Sequence, residues 1–186
     1  MKSKIITIVS ILILLSSVIC FAEDNYKKQP EEISAEVGIS YVILDDIFAM
    51  QGCYKIEYKF HNHFSTFAKF LYIDYEYDDQ FLEVGYGAGA GAGIKAYLYN
   101  GNYMKGLYLS SGINIYHLNW TTLKNNLHLD TGKNNAINYE FEIGGRIPFG
   151  ETPLSISPFL NTGYFDSSTE LNGLYGSTGL IFGLSF

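Results

Sequence analysis

Between residues 33 and 186 apolar and polar side chains alternate with a period of two, and no stretch carries the 3.6-residue stripe of an amphipathic helix. Such a chain is confined to strands with an apolar face on one side and a polar face on the other. The most regular run lies at 82–98. There Leu82, Val84, Tyr86, Ala88, Ala90, Ala92, Ile94, Ala96 and Leu98 share one face, and Glu83, Gly85, Gly87, Gly89, Gly91, Gly93 and Lys95 the other.

Seven further segments read the same way, at 33–44, 52–61, 64–77, 106–117, 137–147, 154–165 and 174–186, which makes eight strands. In 64–77 the apolar face is read as Phe67, Leu71, Ile73, Tyr75 and Tyr77 against Ala68, Asp74 and Glu76, with Lys69 a local exception on the apolar side. Connections at 62–63, 100–105 and 148–153 are short to moderate. Those at 45–51, 118–136 and 166–173 are longer, with 78–80 the exception. An even strand count with short turns at one end and longer loops at the other is the pattern of a membrane barrel.

Alternation alone leaves the direction of the apolar face open: a lipocalin-like soluble barrel turns it inward and a membrane barrel outward. Three features favour outward. The polar face is crowded with glycine and serine, which suits the narrow lumen of eight strands. Its charges have mixed sign, Glu36, Glu57, Asp74, Glu76, Glu83, Glu140 and Glu142 with Lys55, Lys59, Lys95 and Arg146, and would pair inside a lumen. Tyr41, Tyr54, Tyr75, Tyr77, Tyr164 and Phe186 stand near strand ends on the apolar face, where aromatic girdles sit.

Composition agrees with this class. The chain has 16 Tyr, 13 Phe and 19 Gly but 4 Pro, too aromatic and apolar for a disordered segment. Its 12 bases against 19 acids give a net charge of −7, so the basic footprint of a nucleic-acid binder is absent. Residues 1–22 read as a secretory signal peptide: Lys2 and Lys4, an apolar run over 5–19, and Cys20 and Ala22 as small residues before a cut at Glu23. Ser17-Val18-Ile19-Cys20 is a degraded lipobox with bulky Ile19 where a small residue is wanted. After cleavage Cys53 is the one remaining thiol, which excludes an internal disulfide and a cysteine zinc cage. Residues 23–32 form a polar lead-in and 33–186 a single barrel domain.

The last strand, Leu180-Ile181-Phe182-Gly183-Leu184-Ser185-Phe186, alternates hydrophobics and carries a terminal Phe. Together with the glycine-rich stretches 85–97 and 106–116 it resembles the small eight-stranded outer-membrane barrels of Gram-negative bacteria. These are the outer-membrane protein X type, the membrane domain of outer-membrane protein A, and the generic outer-membrane β-barrel domain. The resemblance implies an all-β, eight-stranded antiparallel up-and-down barrel in the cell outer membrane with both termini periplasmic. It also implies Leu180, Phe182, Leu184 and Phe186 as the signal read by the barrel-assembly machinery.

Several enzymes share this scaffold. Lipid A deacylases and palmitoyltransferases, which share the scaffold, place a Ser with a His near the outer rim; the deacylase-like Ser two residues after His is missing here, because His117 is followed by Leu118 and Asn119. Ser110 and Ser111 lie too far along the same strand to be activated by His117, while Ser167 and Ser168 reach it only through tertiary folding. His61 and His63 fall at a turn and His128 in a loop, where solvated histidines are the ordinary reading. The stretch 91–96 matches a loose dinucleotide fingerprint but sits inside a strand, without the strand–turn–helix context that motif needs. Neither a catalytic residue nor a cofactor or metal ligand is assigned.

The expectation is a monomeric membrane barrel in outer-membrane lipid, non-enzymatic, with a structural or surface-interaction role. Its lumen is closed by the charged network and by Phe159, Tyr108 and Tyr116. Trp120, His128 and Asp130 in the long polar loop are the candidate contacts for an extracellular surface or host partner. The alternatives are an outer-leaflet lipid-modifying enzyme and a soluble barrel holding an apolar ligand.

Overall fold

The computed structural model describes residues 33–186 except 45–46, 79–81, 99–103, 125–126, 151 and 169–170, with backbone alone for 78, 82, 124 and 127–129. The leader and the polar lead-in lie outside the described residues. Eight strands follow in chain order: β1 (Ile33–Leu44), β2 (Ile47–His61), β3 (Phe64–Asp78), β4 (Leu82–Tyr97), β5 (Gly106–Lys124), β6 (Leu127–Pro148), β7 (Leu154–Asp166) and β8 (Gly173–Ser185). Each pairs antiparallel with its neighbours in sequence, and β8 closes on β1, so no sheet edge remains around the belt.

The closure has a definite stagger. Following paired residues once around, Ile33–Tyr58–Thr66–Ile94–Ser111–Phe141–Thr162–Gly176, the circuit returns to β1 at Ile43, ten residues further on. Ten residues of strand rise across eight strand spacings set a tilt of about 40°. At that tilt a residue climbs about 2.5 Å along the barrel axis. The apolar exterior of β6 from Ile137 to Ile147 is therefore about 25 Å tall, the height of a bilayer-spanning belt.

The apolar faces point outward. Tyr54 is 70% exposed, Phe70 72%, Ile113 54% and Ile115 60%, with Ile56, Phe141, Leu174 and Phe182 beside them in one continuous belt. An exposed apolar area of that extent is stable only against lipid. Three threonine hydroxyls in the belt are turned back onto the backbone. Thr66 donates to the Gly93 carbonyl at 3.0 Å, Thr162 to Tyr175 at 3.0 Å and Thr178 to Phe159 at 3.2 Å.

In every strand but β3 the faces are those expected from the alternation. β3 is inverted. Phe67, Lys69, Leu71, Ile73 and Tyr75 line the interior, and Phe64, Thr66, Ala68, Phe70 and Tyr72 face out. Both faces of this strand are aromatic, so apolarity did not discriminate. Lys69 did, because a lysine in the middle of a lipid-facing row is costly. Tyr75 is consequently buried and Tyr77 half-buried, not girdle residues, while Tyr41, Tyr54, Tyr164 and Phe186 do face outward.

The long connections are also different from expectation. Ile47–Gln51 belongs to β2, and most of 118–136 is strand, since β5 runs on to Lys124 and β6 begins at Leu127. Ile33 and Phe186, the first and last described residues, meet at one end of the barrel, where Phe186 N donates to Ile33 O at 2.8 Å. At the other, far end the β5–β6 hairpin outgrows its neighbours. β6 last pairs with β7 at Ile137–Asp166, whereas its pairing with β5 continues to Lys124–Leu127.

Candidate functional site

Small residues on the inner face of β4 leave the lumen to long side chains from the other strands, which fill it in two layers. The layer toward the termini is ionic. Glu57 of β2, fully buried, accepts hydrogen bonds from Ser65 at 2.5 Å, Lys95 at 2.7 Å, Tyr97 at 2.8 Å and Arg146 at 3.3 Å. Arg146 also pairs with Glu36 and donates to Ser34 at 3.1 Å, and Lys55 meets the other oxygen of Glu36 at 2.8 Å. Lys95 lies 4.3 Å from the ring centre of Tyr108, a cation–π contact in a dry site. Tyr97, Met104 and Tyr108 close the floor, Met104 folding in from the β4–β5 connection so that its sulfur accepts from Arg146 at 3.2 Å.

A step higher, Lys69 pairs with Glu140, whose second oxygen accepts from Asn114 at 3.0 Å. Beside it is a cavity of about 20 Å³ lined by Gln51, Lys55, Lys69, Glu140, Glu142 and Asn161, room for one water molecule. Above this the lumen becomes apolar. Val42, Leu44, Ile47, Leu71, Ile73, Leu118, Phe165 and Leu171 pack with Tyr75, Tyr116 and Tyr175 in one buried cluster. Tyr116 and Tyr175 stand at its lower boundary, their hydroxyls bonded to Gln51 and Asn138.

The charges named from the sequence are therefore not all together. Glu36, Lys55, Glu57, Lys59, Lys95, Glu140, Glu142 and Arg146 are buried in the lumen. Asp74 and Glu76 are exposed on the outer wall, a consequence of the inverted β3. Glu83 is half-buried near the far rim, accepting from Tyr75 at 2.9 Å. Lys69 belongs to the network and takes the place sequence reasoning gave to Asp74. Phe159, Tyr108 and Tyr116 are interior, as expected. Leu180, Phe182, Leu184 and Phe186 stand in the exterior row of the last strand.

The expected loop contacts are strand residues. Trp120 is half-buried on β5, paired between Gly85 of β4 and Gly132 of β6, and packs on the apolar cluster below. A Cβ on Gly132 would fall 2.2 Å from the Trp120 ring, so the indole lies flat over that glycine. Asp130 is exposed on β6, where its carboxylate accepts from Thr131 N at 2.8 Å; the side chain of His128 lies outside the described residues. His117 stands on the outer wall with Nδ1 3.0 Å from Asn135 Oδ1, and Ser167 accepts instead from Asn134. His63 Nδ1 lies 3.1 Å from the Tyr97 carbonyl.

Outer-wall residues of β3 to β6 pair in rows toward the far end, each row climbing about 9 Å along the barrel axis from β3 to β6 as the stagger requires. Phe70, Ala90, Ile115 and Ile137 make the last wholly apolar row. Next come Tyr72, Ala88, His117 and Asn135, then Asp74, Tyr86, Asn119 and Lys133, then Glu76, Val84, Thr121 and Thr131. Apolar chemistry thus gives way to polar within two rows, about 10 Å of height.

No protein-family model matches the sequence, and no curated protein sequence is significantly similar to it. Solved structures do match. Ail of Yersinia pestis, its attachment invasion locus protein, superposes with a TM-score of 0.55 at 14% identity, over 86% of this chain and 100% of that one. The fold is that of an outer-membrane barrel. Ail has also been solved with the heparin analogue sucrose octasulfate. Neisserial surface protein A is similar at 10% identity and a TM-score of 0.49, over 85% of this chain and 98% of that one. The N-terminal β-barrel domain of Pseudomonas aeruginosa OprF is similar at 15% identity and a TM-score of 0.44, over 85% and 100%. Fold and belt together make this chain a transmembrane barrel of the outer membrane.

Proposed function

We propose that this protein is a monomeric outer-membrane barrel with a closed lumen and periplasmic termini, presenting the β5–β6 hairpin and the far rim as an extracellular interaction surface. The observation that carries this reading is the two-layer filling of the interior. Among the described residues an ionic layer lies under an apolar one across the axis, which supports a closed lumen and an outer end that carries the work of the molecule. The barrel-assembly machinery is the expected route of insertion.

The rim has a charge of its own. Residues 44–47, 74–83, 119–136 and 166–173 contain ten acids and two lysines. A sulfated polyanion of the kind held by Ail meets the wrong sign here, and a partner with a basic surface meets the right one. Peptide tags test the reading, one placed between residues 125 and 126 and another before Ile33. On intact cells the hairpin tag is expected to be antibody-accessible and the N-terminal tag protected. A protected hairpin tag, or steady conductance of the folded protein in a planar bilayer, refutes it.

A further inference from the structure

The outer wall of the β5–β6 hairpin bears a depression that the barrel itself does not require. Its volume is about 450 Å³, within the range of small-molecule sites (roughly 300–1,000 Å³). Asp74, Tyr86, Asn119, Thr121, Thr131 and Lys133 are its outward-facing polar and aromatic lining, and Val84, Gly85, Trp120 and Gly132 complete a floor that is mostly apolar. The six are outward-facing positions on four consecutive strands, so the depression opens away from the lumen, toward whatever surrounds the barrel.

Its height says what surrounds it. On each of its four strands the lowest lining residue stands four residues beyond the last wholly apolar row, about 10 Å further along the barrel axis, and the layer just above the hydrocarbon belt of a bilayer is the headgroup layer. The occupant is therefore continuous with the lipid that covers the belt below.

The chemistry narrows the headgroup. A carboxylate, a carboxamide, two hydroxyls, a phenol and an ammonium offer donors and acceptors in comparable number, suited to a ligand rich in hydroxyls. Tyr86, half exposed, supplies an aromatic face. Asp74 carries a negative charge, with Glu76 one row above it on the same strand, so a phosphate is disfavoured over most of the floor. We propose that this depression binds the uncharged sugar headgroup of an outer-leaflet glycolipid. The site rests on the reading of the belt as lipid-covered and of the far end as the outer one.

The test uses the refolded full barrel in phosphatidylcholine nanodiscs containing equal small fractions of phosphatidylglycerol and digalactosyl diacylglycerol, followed by native mass spectrometry. The wild type is expected to retain one digalactosyl lipid about tenfold more often than either phospholipid. Asn119→Leu and Thr131→Val, both on the outer wall and away from the lumen, are each expected to lower that retention about tenfold. Their gel shift on boiling should be unchanged. Equal retention of phosphatidylglycerol, or full retention by both variants, overturns the site. Equally tight binding of free lactose by the barrel in micelles overturns its assignment to a lipid. If the wild type shows no shift on boiling, the membrane reading itself fails, a result separable from the others.

Discussion

Replacing Glu57 by Gln removes one charge while keeping the shape of the side chain and an oxygen for Ser65 and Tyr97. The loss falls unevenly on its two cations. Arg146 retains Glu36 and Ser34, but Lys95, 1% exposed, is left with the weaker attraction of the Tyr108 and Tyr97 rings. Breaking a buried pair from one side costs about 3–5 kcal/mol, because the surviving charge is left in a low-dielectric site. With the cation–π contact intact, about 3 kcal/mol is expected here. Lys95→Met should cost less, about 1–2 kcal/mol, since Glu57 still accepts from Arg146, Ser65 and Tyr97. In the double variant no cation is stranded, and its stability should lie within about 1 kcal/mol of Lys95→Met alone. Equilibrium urea unfolding in lipid vesicles, followed by the fluorescence of the single tryptophan, Trp120, and by gel shift, measures all four proteins. A loss below about 1 kcal/mol in Glu57→Gln, or additive losses in the double variant, would refute the stranded-lysine argument.

Other perturbations address the belt, the packing and the seal. Ile113→Arg, at the middle of the β5 exterior, should cost about 2–4 kcal/mol, and Thr121→Arg less than about 1 kcal/mol, by the same unfolding assay. Equal and negligible effects would point to water outside the barrel. Gly163→Ala should destabilise by about 1–3 kcal/mol, because the new carbon would meet the Tyr139 carbonyl oxygen at 2.1 Å; Gly52→Ala and Gly176→Ala, with nothing within 4 Å, should be close to neutral. Bilayer recordings should show no steady current for the wild type, and thinning the apolar layer with Leu118→Ala and Phe165→Ala should produce one. A conducting wild type contradicts the closed lumen.

The parts of the fold that were legible in the sequence are those where one face had to meet lipid. β4 spelled its faces out through alternate glycines, and β6 did so through Ile137, Tyr139, Phe141 and Ile143 against Asn138, Glu140 and Glu142. Beyond the bilayer that requirement lapses. Thr121, Thr122, Asn134 and Asn135 are strand residues without an apolar row to mark them, so the hairpin looked like a loop. The apolar half of the lumen was hidden for a related reason. An inner face made of Val42, Leu44, Ile47 and Ala49 contradicts the rule that the inside is polar, and part of it lay in a segment read as a connection. The ionic half was readable, apart from Asp74, Glu76 and Lys69, because the charges of β1, β2 and β4 and those of β6 within the belt kept to the inner parity.

A strand that slips by one residue in a closed barrel turns its lipid face inward and is rejected at once. A slip of two keeps every face correct and forfeits far less, since glycine, serine and aliphatic neighbours are nearly interchangeable along these strands. What such a slip does break is the contact of Arg146 on β6 with Glu36 on β1 and Glu57 on β2, by displacing one partner about 7 Å. Arg146 thereby works as a key that fits a single alignment of the first and last thirds of the chain, and the ionic layer proofreads the closing seam.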